Sequence, residues 1–242
     1  MAGHSAWKNI KHRKAAVDAK RGKIWSKLSR AVIVAARAGG GDPKFNATLR
    51  IAIDAAKAAN MPRDTIEKAV KKGAGGDDAD RFEAVRYEGY GPGGVAIVAE
   101  CLVANVNKTA PEVRTIFDKN GGNLGVPGSV TYSFLQKGVV LVPAGATTEE
   151  RLFDVVLAAG AEDVAGGEEG WQVTCAPADL ARVRDALESA AIPFEGAEVS
   201  YIPVSMVELD PATAARVSRL VAALEEHDDV QKVHVNAEIP DA

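Results

Sequence analysis

Residues 4–30 hold a high density of positively charged side chains. This stretch, HSAWKNIKHRKAAVDAKRGKIWSKLSR, contains nine Lys or Arg and a single acid, Asp18. Bases on an ordinary solvated helix face are interleaved with acids, whereas bases at this density bind phosphates and release their counterions. The stretch therefore predicts contact with a nucleic acid. The candidate binding residues are Lys8, Lys11, His12, Arg13, Lys14, Lys20, Arg21, Lys23, Lys27 and Arg30.

Only the first part of the chain carries a net positive charge. The 242-residue chain has a formal charge of −4, yet residues 1–72 hold 17 Lys or Arg against 5 Asp or Glu. Residues 73–242 hold 12 Lys or Arg against 28 Asp or Glu. Such asymmetry indicates a basic head that binds a polyanion, carried on an acidic body.

Aromatic side chains lie among the candidate bases. Trp7, His12 and Trp25 could stack on nucleobases or sugars. Trp25 also adjoins the apolar stripe of the helix predicted around it, so a place in the protein core is equally open for this residue.

Glycines at 89, 91 and 94 formally match the dinucleotide-binding pattern G-x-G-x-x-G. A strand-like segment, VAIVAECLV, follows them where the pattern requires a helix whose free N–H groups bind the pyrophosphate. The segment at 89–94 is therefore interpreted as a loop that joins two strands. The Gly-rich segment at 121–128 could be a plain connection or a contact loop, and the role of both loops stays open.

The sequence contains no spacing typical of a catalytic or metal site. A phosphate loop of the G-K-[ST] type, paired Cys-x-x-Cys motifs, H-E-x-x-H and G-x-S-x-G are all missing from it. Cys101 and Cys175 are interpreted as small core residues of a protein in a reducing compartment. We therefore expect a cytoplasmic monomer that is not an enzyme, with no catalytic residues, no metal, no cofactor and no membrane partner.

Helical periodicity predicts three helices before residue 73. The first helix is predicted at about 15–38 and carries both an apolar stripe and a basic stripe. The basic side chains are offset by one residue from the apolar ones, which places the two stripes about 100° apart around the helix. The second begins at Asp42-Pro43 and places Phe45 and Leu49 inward. The third begins at Met61-Pro62 and ends at Gly73, a glycine beyond the last turn.

Beyond residue 80 the pattern changes to alternating strands and helices. Residues 139–202 spell βαββαβ, a ferredoxin-like unit. Without them, 94–134 joins 204–237 as a second such unit, with strands expected at 129–134 and 204–209. The predicted domains are a basic helical nucleic-acid-binding domain with a flexible tail (1–80), an α+β domain (81–136 plus 204–242) and an inserted α+β domain (137–203).

Three stretches carry a resemblance to a known family: AGHSAWKNIKHRKAAVDAKRGKIWSKLSR, NMPRDTIEKAVKKG and YEGYGPGGVAIV. The whole chain resembles the YebC family, whose members include probable transcriptional regulatory proteins and the translational activator of cytochrome c oxidase subunit I. The family usually reads His-Ser-Lys-Trp, whereas Ala6 and Lys8 flank Trp7 here. This departure puts a fixed role for one lysine in doubt, although the basic character is kept.

The resemblance implies a helical N-terminal domain followed by two ferredoxin-like α+β domains, one inserted in the other. It also implies a regulator of gene expression, of the type described as a DNA-binding transcriptional regulator. The alternative is a ribosome-associated translation factor that binds ribosomal or transfer RNA and relieves stalling on proline-rich stretches. A scaffold whose basic head binds an acidic protein is a third reading. Charge alone does not choose between DNA and RNA.

Overall fold

The computed structural model of the protein describes residues 21–75 and 81–239. Its helices are α1 (Arg21–Gly39), α2 (Ala47–Ala58), α3 (Arg63–Ala74), α4 (Val106–Lys119), α5 (Glu149–Leu157), α6 (Leu180–Ser189) and α7 (Pro211–Glu225). Its strands are β1 (Glu83–Tyr90), β2 (Ala96–Val103), β3 (Asn123–Leu124), β4 (Phe134–Pro143), β5 (Ala161–Gly167), β6 (Gly170–Cys175), β7 (Gly196–Pro203) and β8 (Val230–Val235). The prediction of an α+β protein with three N-terminal helices is confirmed.

The three helices at the start pack around small side chains. Val32, Ile33, Ala35 and Ala36 of α1 are buried against Leu49 of α2 and the inner face of α3. Ala residues let the helix axes approach closely, and burial of the apolar stripes is the main contribution that stabilises such short helices.

The second helix begins four residues later than the sequence predicts. Asn46 is its N-cap, because the Asn46 side chain accepts the N–H of Leu49 at 3.0 Å. Asp42 instead accepts the N–H of Lys44, which closes a turn before the helix. Phe45 therefore lies outside the helix with 87% of its surface exposed, and the prediction that it points inward is wrong.

The third helix runs to Ala74, so Gly73 lies inside it and does not terminate it. A Cβ on Gly73 would lie 2.4 Å from the carbonyl oxygen of Ile33 and 2.7 Å from the Cβ of Ala36. Glycine is needed here because α1 and α3 cross at contact distance, not because the helix ends.

Two antiparallel four-stranded sheets follow, with strand orders β3-β1-β2-β8 and β5-β6-β4-β7. In the second sheet α5 and α6 each connect strands two positions apart, as the split βαβ arrangement requires. In the first sheet the β1–β2 hairpin fills the two central positions, with Tyr90 paired to Ala96 at its turn. Its core combines these strands with α4 and α7 around the fully buried Phe117 and Leu220.

Two of the predicted strands of the first sheet are wrong. Residues 131–133 form a 3₁₀ turn, and strand β4 begins only at Phe134. The carboxylate of Glu88 accepts the N–H groups of Val130 and Thr131, both at 3.0 Å, so these groups are not available to a strand ladder. Between 204 and 209 only Val207 pairs, in a single bridge with Ala237.

The described chain divides into two compact units. One holds Phe134–Val204, which carries the second sheet. The other holds the remaining described residues, so α1–α3 belong to the same unit as the first sheet. No described helix is both long enough and apolar enough to cross a membrane.

Candidate nucleic-acid interface

Two lysines of the predicted basic stripe contact the carboxyl end of α7. Lys23 donates through Nζ to the carbonyl oxygen of Glu226 at 3.1 Å and to its carboxylate at 3.2 Å. Lys27 donates to the carbonyl oxygen of Glu225 at 2.6 Å. The last carbonyl groups of a helix have no partner within the helix and carry its partial negative charge, so cations stabilise this end.

The third base, Arg30, is held by the residues that follow α7. Its Nη1 donates to the carbonyl oxygen of Asp228 at 2.9 Å and to the carboxylate of Asp229 at 2.5 Å. Its guanidinium also lies 5.2 Å from the ring centroid of Phe82, a cation–π distance. Arg30 thus connects α1 to both the beginning and the end of the first α+β unit.

The pKa shifts of Lys27 and Asp229 reflect partial burial and direct contact with oppositely charged groups. Burial lowers the pKa of Lys27, against the raising effect of Glu225 and Asp228. Burial alone would raise the pKa of Asp229, but hydrogen bonds from Thr109 and Arg30 hold it below its ordinary value. We refer to Lys23, Lys27 and Arg30 with their partners on α7 and the segment after it as the α1–α7 anchor.

His227 is fixed within the same region. The N–H of Asp229 donates to His227 Nδ1 at 3.1 Å, so Nδ1 acts as an acceptor and the ring proton is assigned to Nε2. Nε2 then donates to the carboxylate of Glu112 at 3.1 Å. The ring therefore joins the segment after α7 to α4 and has a structural partner at each nitrogen.

The other candidate binding residues fall mainly outside the described residues. Lys8, Lys11, His12, Arg13, Lys14 and Lys20 lie there, as does Trp7. Arg21 is the first described residue and lies in α1, and its side chain is not described. Trp25 is described, donates its indole N–H to the carbonyl oxygen of Ala59 at 3.0 Å and packs near Met61, so the core reading of this residue holds.

Sequence reasoning missed an exposed group on the helical head. Lys44 and Phe45 lie in the turn before α2, both exposed. This turn lies against the end of α3, since a Cβ on Gly41 would be 3.0 Å from the Cβ of Ala74. Lys71, exposed in the last turn of α3, belongs to the same end of the head. The periodicity placed Phe45 inward, so no signal in the sequence indicated this group.

Gly89 and Tyr90 end strand β1, and the residues that follow them form the loop joining β1 to the antiparallel strand β2, in agreement with the interpretation of this segment as a connection between two strands. Gly93 and Gly94 have φ of 75° and 76°, which glycine adopts without strain. A Cβ on Gly93 would lie 2.9 Å from side-chain atoms of both Leu209 and Thr213. This loop is therefore packed against the start of α7.

Neither cysteine has the features of a reactive thiol. Burial raises the pKa of Cys101 to about 12 and that of Cys175 to about 11, so neither thiol forms a thiolate near neutral pH. Both are unpaired and buried, in agreement with their interpretation as core residues. Within residues 21–75 and 81–239, no three His, Cys, Asp or Glu side chains cluster as a metal site would require.

Comparison with known proteins covers nearly the whole chain. Residues 5–76 match the family model described as the TACO1/YebC protein N-terminal domain, and residues 82–237 match the one described as the TACO1/YebC second and third domain. A protein of Rubrobacter xylanophilus, named probable transcriptional regulatory protein, is 51% identical over 240 residues, which covers 99% of this chain and 96% of the relative.

Two further comparisons lead to Aquifex aeolicus. A protein of this organism with the same descriptive name is 50% identical over 242 residues, covering 100% of this chain and 97% of its own. The crystal structure of a conserved hypothetical protein from Aquifex aeolicus superposes with a TM-score of 0.86 at 49% identity, and the match covers 98% of each chain.

Proposed function

The chain belongs to the TACO1/YebC family, and on that premise we propose that it is a nucleic-acid-binding regulator of gene expression. Relatives at about half identity over their full length carry the name probable transcriptional regulatory protein. The first form of the proposal is a DNA-binding transcriptional regulator. A cytoplasmic monomer that acts without catalysis or a cofactor is part of the same proposal.

The observation that carries the proposal is the division of charge along the chain. Residues 1–72 hold 17 Lys or Arg against 5 Asp or Glu, within a chain of formal charge −4. The α1–α7 anchor occupies three of these bases. We assign phosphate contact to the bases that precede it, which are Lys8, Lys11, Arg13, Lys14, Lys20 and Arg21, together with His12.

The position of α1 limits how the protein could recognise a DNA base sequence. A helix that reads base edges must lie in the major groove. In the described structure the basic stripe of α1 contacts the end of α7 through Lys27 and the segment after α7 through Arg30. We infer that α1 supports the binding surface and that the segment before it contacts phosphates.

The alternative is binding to ribosomal or transfer RNA as a translation factor, and one structural feature favours it. Phe45 is 87% exposed beside Lys44 on the head. An exposed aromatic ring next to a lysine side chain is suited to stack on an unpaired nucleobase. Single-stranded RNA offers unpaired nucleobases, and duplex DNA does not. Among the described residues, Phe45 packs into none of the apolar clusters, so its ring is accessible to a ligand.

Binding at several salt concentrations tests the proposal. The full chain is titrated against a promoter duplex, a random duplex and purified ribosomes. If six bases neutralise phosphates, log K on duplex DNA falls with log salt with a slope of about −5. A flat salt dependence on every probe would contradict nucleic-acid binding and favour the protein scaffold.

The same experiment separates the two forms. A large preference for one promoter duplex over random DNA supports transcription. Cosedimentation with ribosomes, lost when Lys11, Arg13 and Lys14 are reversed to Glu, supports translation. These three residues are preferred to Lys23 and Lys27 for the reversal, because the latter two hold the α1–α7 anchor.

A further inference from the structure

A second group of bases lies in the part of the chain that is acidic overall. Arg216 and Arg219 are three residues apart on the exposed face of α7, and residues at this spacing are neighbours on a helix surface. Lys119 ends α4 and is also exposed. They line a cleft of about 400 Å³ together with Asp118, Asn120 and Gly121.

These three bases differ from the α1–α7 anchor in having no ion pair among the described residues. On α7 the positions three and four residues away from Arg216 and Arg219 hold Ala, Thr or Leu, apart from each other. Asp118 is the only acid lining the cleft, so positive charge is in excess there. Unpaired bases that converge in one cleft repel each other, which costs stability unless an anion is bound.

Glycine keeps the floor of the cleft open. Gly121 has a φ of +74°, and a Cβ at this position would lie 3.0 Å from Nη2 of Arg216 and 3.9 Å from Cγ of Pro92. The guanidinium of Arg216 therefore lies directly over the backbone. The two Gly-rich loops, at 89–94 and 121–128, meet α7 at this place, as the contact of Gly93 with Thr213 also requires.

We propose that this cleft binds the phosphodiester backbone of a nucleic acid, at a site separate from the basic N-terminal segment. The inference rests on the proposed function, since it names a second contact for the same ligand. Guanidinium groups bind phosphate oxygens with two parallel hydrogen bonds, and the lysine adds a point charge. The side chains of Lys119, Arg216 and Arg219 are exposed, which suits a strand lying across the cleft.

Paired substitutions test the site. In R216Q/R219Q the binding of the full chain to a labelled RNA oligonucleotide and to a DNA duplex weakens about tenfold at ~0.1 M salt, and the salt slope falls by about 1.8 on the duplex. The charge-preserving R216K/R219K keeps most of the slope. The matched control R151Q/R182Q removes the same two charges from exposed helix positions in the other compact unit and leaves affinity unchanged.

The failures of the two proposals are distinguishable. If the unaltered chain does not bind either probe, the proposed function fails and the site fails with it. If the unaltered chain binds and R216Q/R219Q binds equally with the same slope, the site alone is overturned. Inorganic phosphate is titrated in parallel and followed by NMR at the Arg216 side chain. Saturation by phosphate without displacement by the oligonucleotide would show a small-anion site and overturn the nucleic-acid assignment.

Discussion

The substitution Asp229→Asn tests the α1–α7 anchor. The Asp229 carboxylate accepts from Nη1 of Arg30 and from Oγ1 of Thr109, both at 2.5 Å. The side chains of Asp229 and Arg30 are 18% and 20% exposed, so water replaces little of the lost interaction. A hydrogen bond to a charged group contributes about 1.5–3 kcal/mol, and a neutral one about 1 kcal/mol. Because Asn keeps one acceptor, we expect a loss of about 2 kcal/mol.

Thermal unfolding followed by circular dichroism measures this loss. For a cooperative unit of this size about 2 kcal/mol lowers Tm by roughly 4–8 °C at pH 7. The matched control is Glu67→Gln, which breaks a pair with Arg63 in which the two side chains are 52% and 90% exposed. Exposed pairs contribute about 0.5 kcal/mol or less. Equal shifts in the two variants would refute the anchor as a source of stability.

The pH dependence gives an independent check on the same residue. The folded protein holds the pKa of Asp229 below its ordinary value, so the carboxylate stabilises the fold above the unfolded pKa of about 3.9. This contribution is lost as the pH falls through the lower, folded pKa. The difference in stability between the unaltered chain and Asp229→Asn is therefore full at neutral pH and shrinks as the pH falls from the unfolded pKa through the lower, folded pKa of Asp229. A difference that stays constant across this acid range contradicts the assignment.

Three further predictions concern single residues. Gly73→Ala is expected to lower the free energy of unfolding, measured in urea, by about 1–3 kcal/mol, because the new Cβ meets a backbone oxygen of α1. The control Gly22→Ala, where a Cβ meets no neighbour, is expected to leave this free energy unchanged or to raise it. Phe45→Ala leaves Tm unchanged but weakens binding to single-stranded RNA by about 1–3 kcal/mol, and equal binding would remove the stacking role. A thiol reagent at pH 8 modifies Cys101 and Cys175 only after urea unfolding, and rapid labelling of the folded protein would contradict their high pKa values.

Local patterns in the sequence were sufficient for much of the fold. The 3.6-residue spacing of apolar side chains located the three helices of the head, because each buries one face. The change to alternating strands and helices after residue 80 indicated the α+β class. The βαββαβ pattern between 139 and 202 also indicated the connections of the second sheet, since each of its helices joins strands two positions apart.

Features that depend on distant residues were not predictable in this way. The carboxylate of Glu88 binds the N–H groups of residues 130 and 131, and this contact replaces a strand that the local sequence favours. Asn46 caps α2 although Asp42-Pro43 is the stronger local signal, and the Asn46 side chain is held by donating through Nδ2 to the carbonyl oxygen of Ala35 on α1 at 2.8 Å. In both cases a specific hydrogen bond in the folded chain overrides local propensity.

The partners of the basic residues on α1 were also not predictable from the local sequence. Lys23, Lys27 and Arg30 share their spacing with the preceding bases, and the sequence treats all of them alike. Their partners on α7 and just after it are about 200 positions away, with separations of 203, 198 and 199 residues. A charge pattern on one helix identifies a basic face, but the residue opposite that face is determined by the fold of the whole chain.

The central claim is that the basic residues preceding the α1–α7 anchor contact phosphates, whereas Lys23, Lys27 and Arg30 hold α1 to α7 and the segment after it. The most direct test compares salt slopes on one duplex for two full-length variants. Replacing Lys8, Lys11, Arg13, Lys14 and Lys20 by Gln is expected to reduce the slope by about 4.5, at about 0.9 per phosphate contact, with Tm unchanged. Lys23→Gln is expected to leave the slope unchanged. An unchanged slope in the variant with five substitutions would contradict the account, as would a slope reduced by about 0.9 in Lys23→Gln.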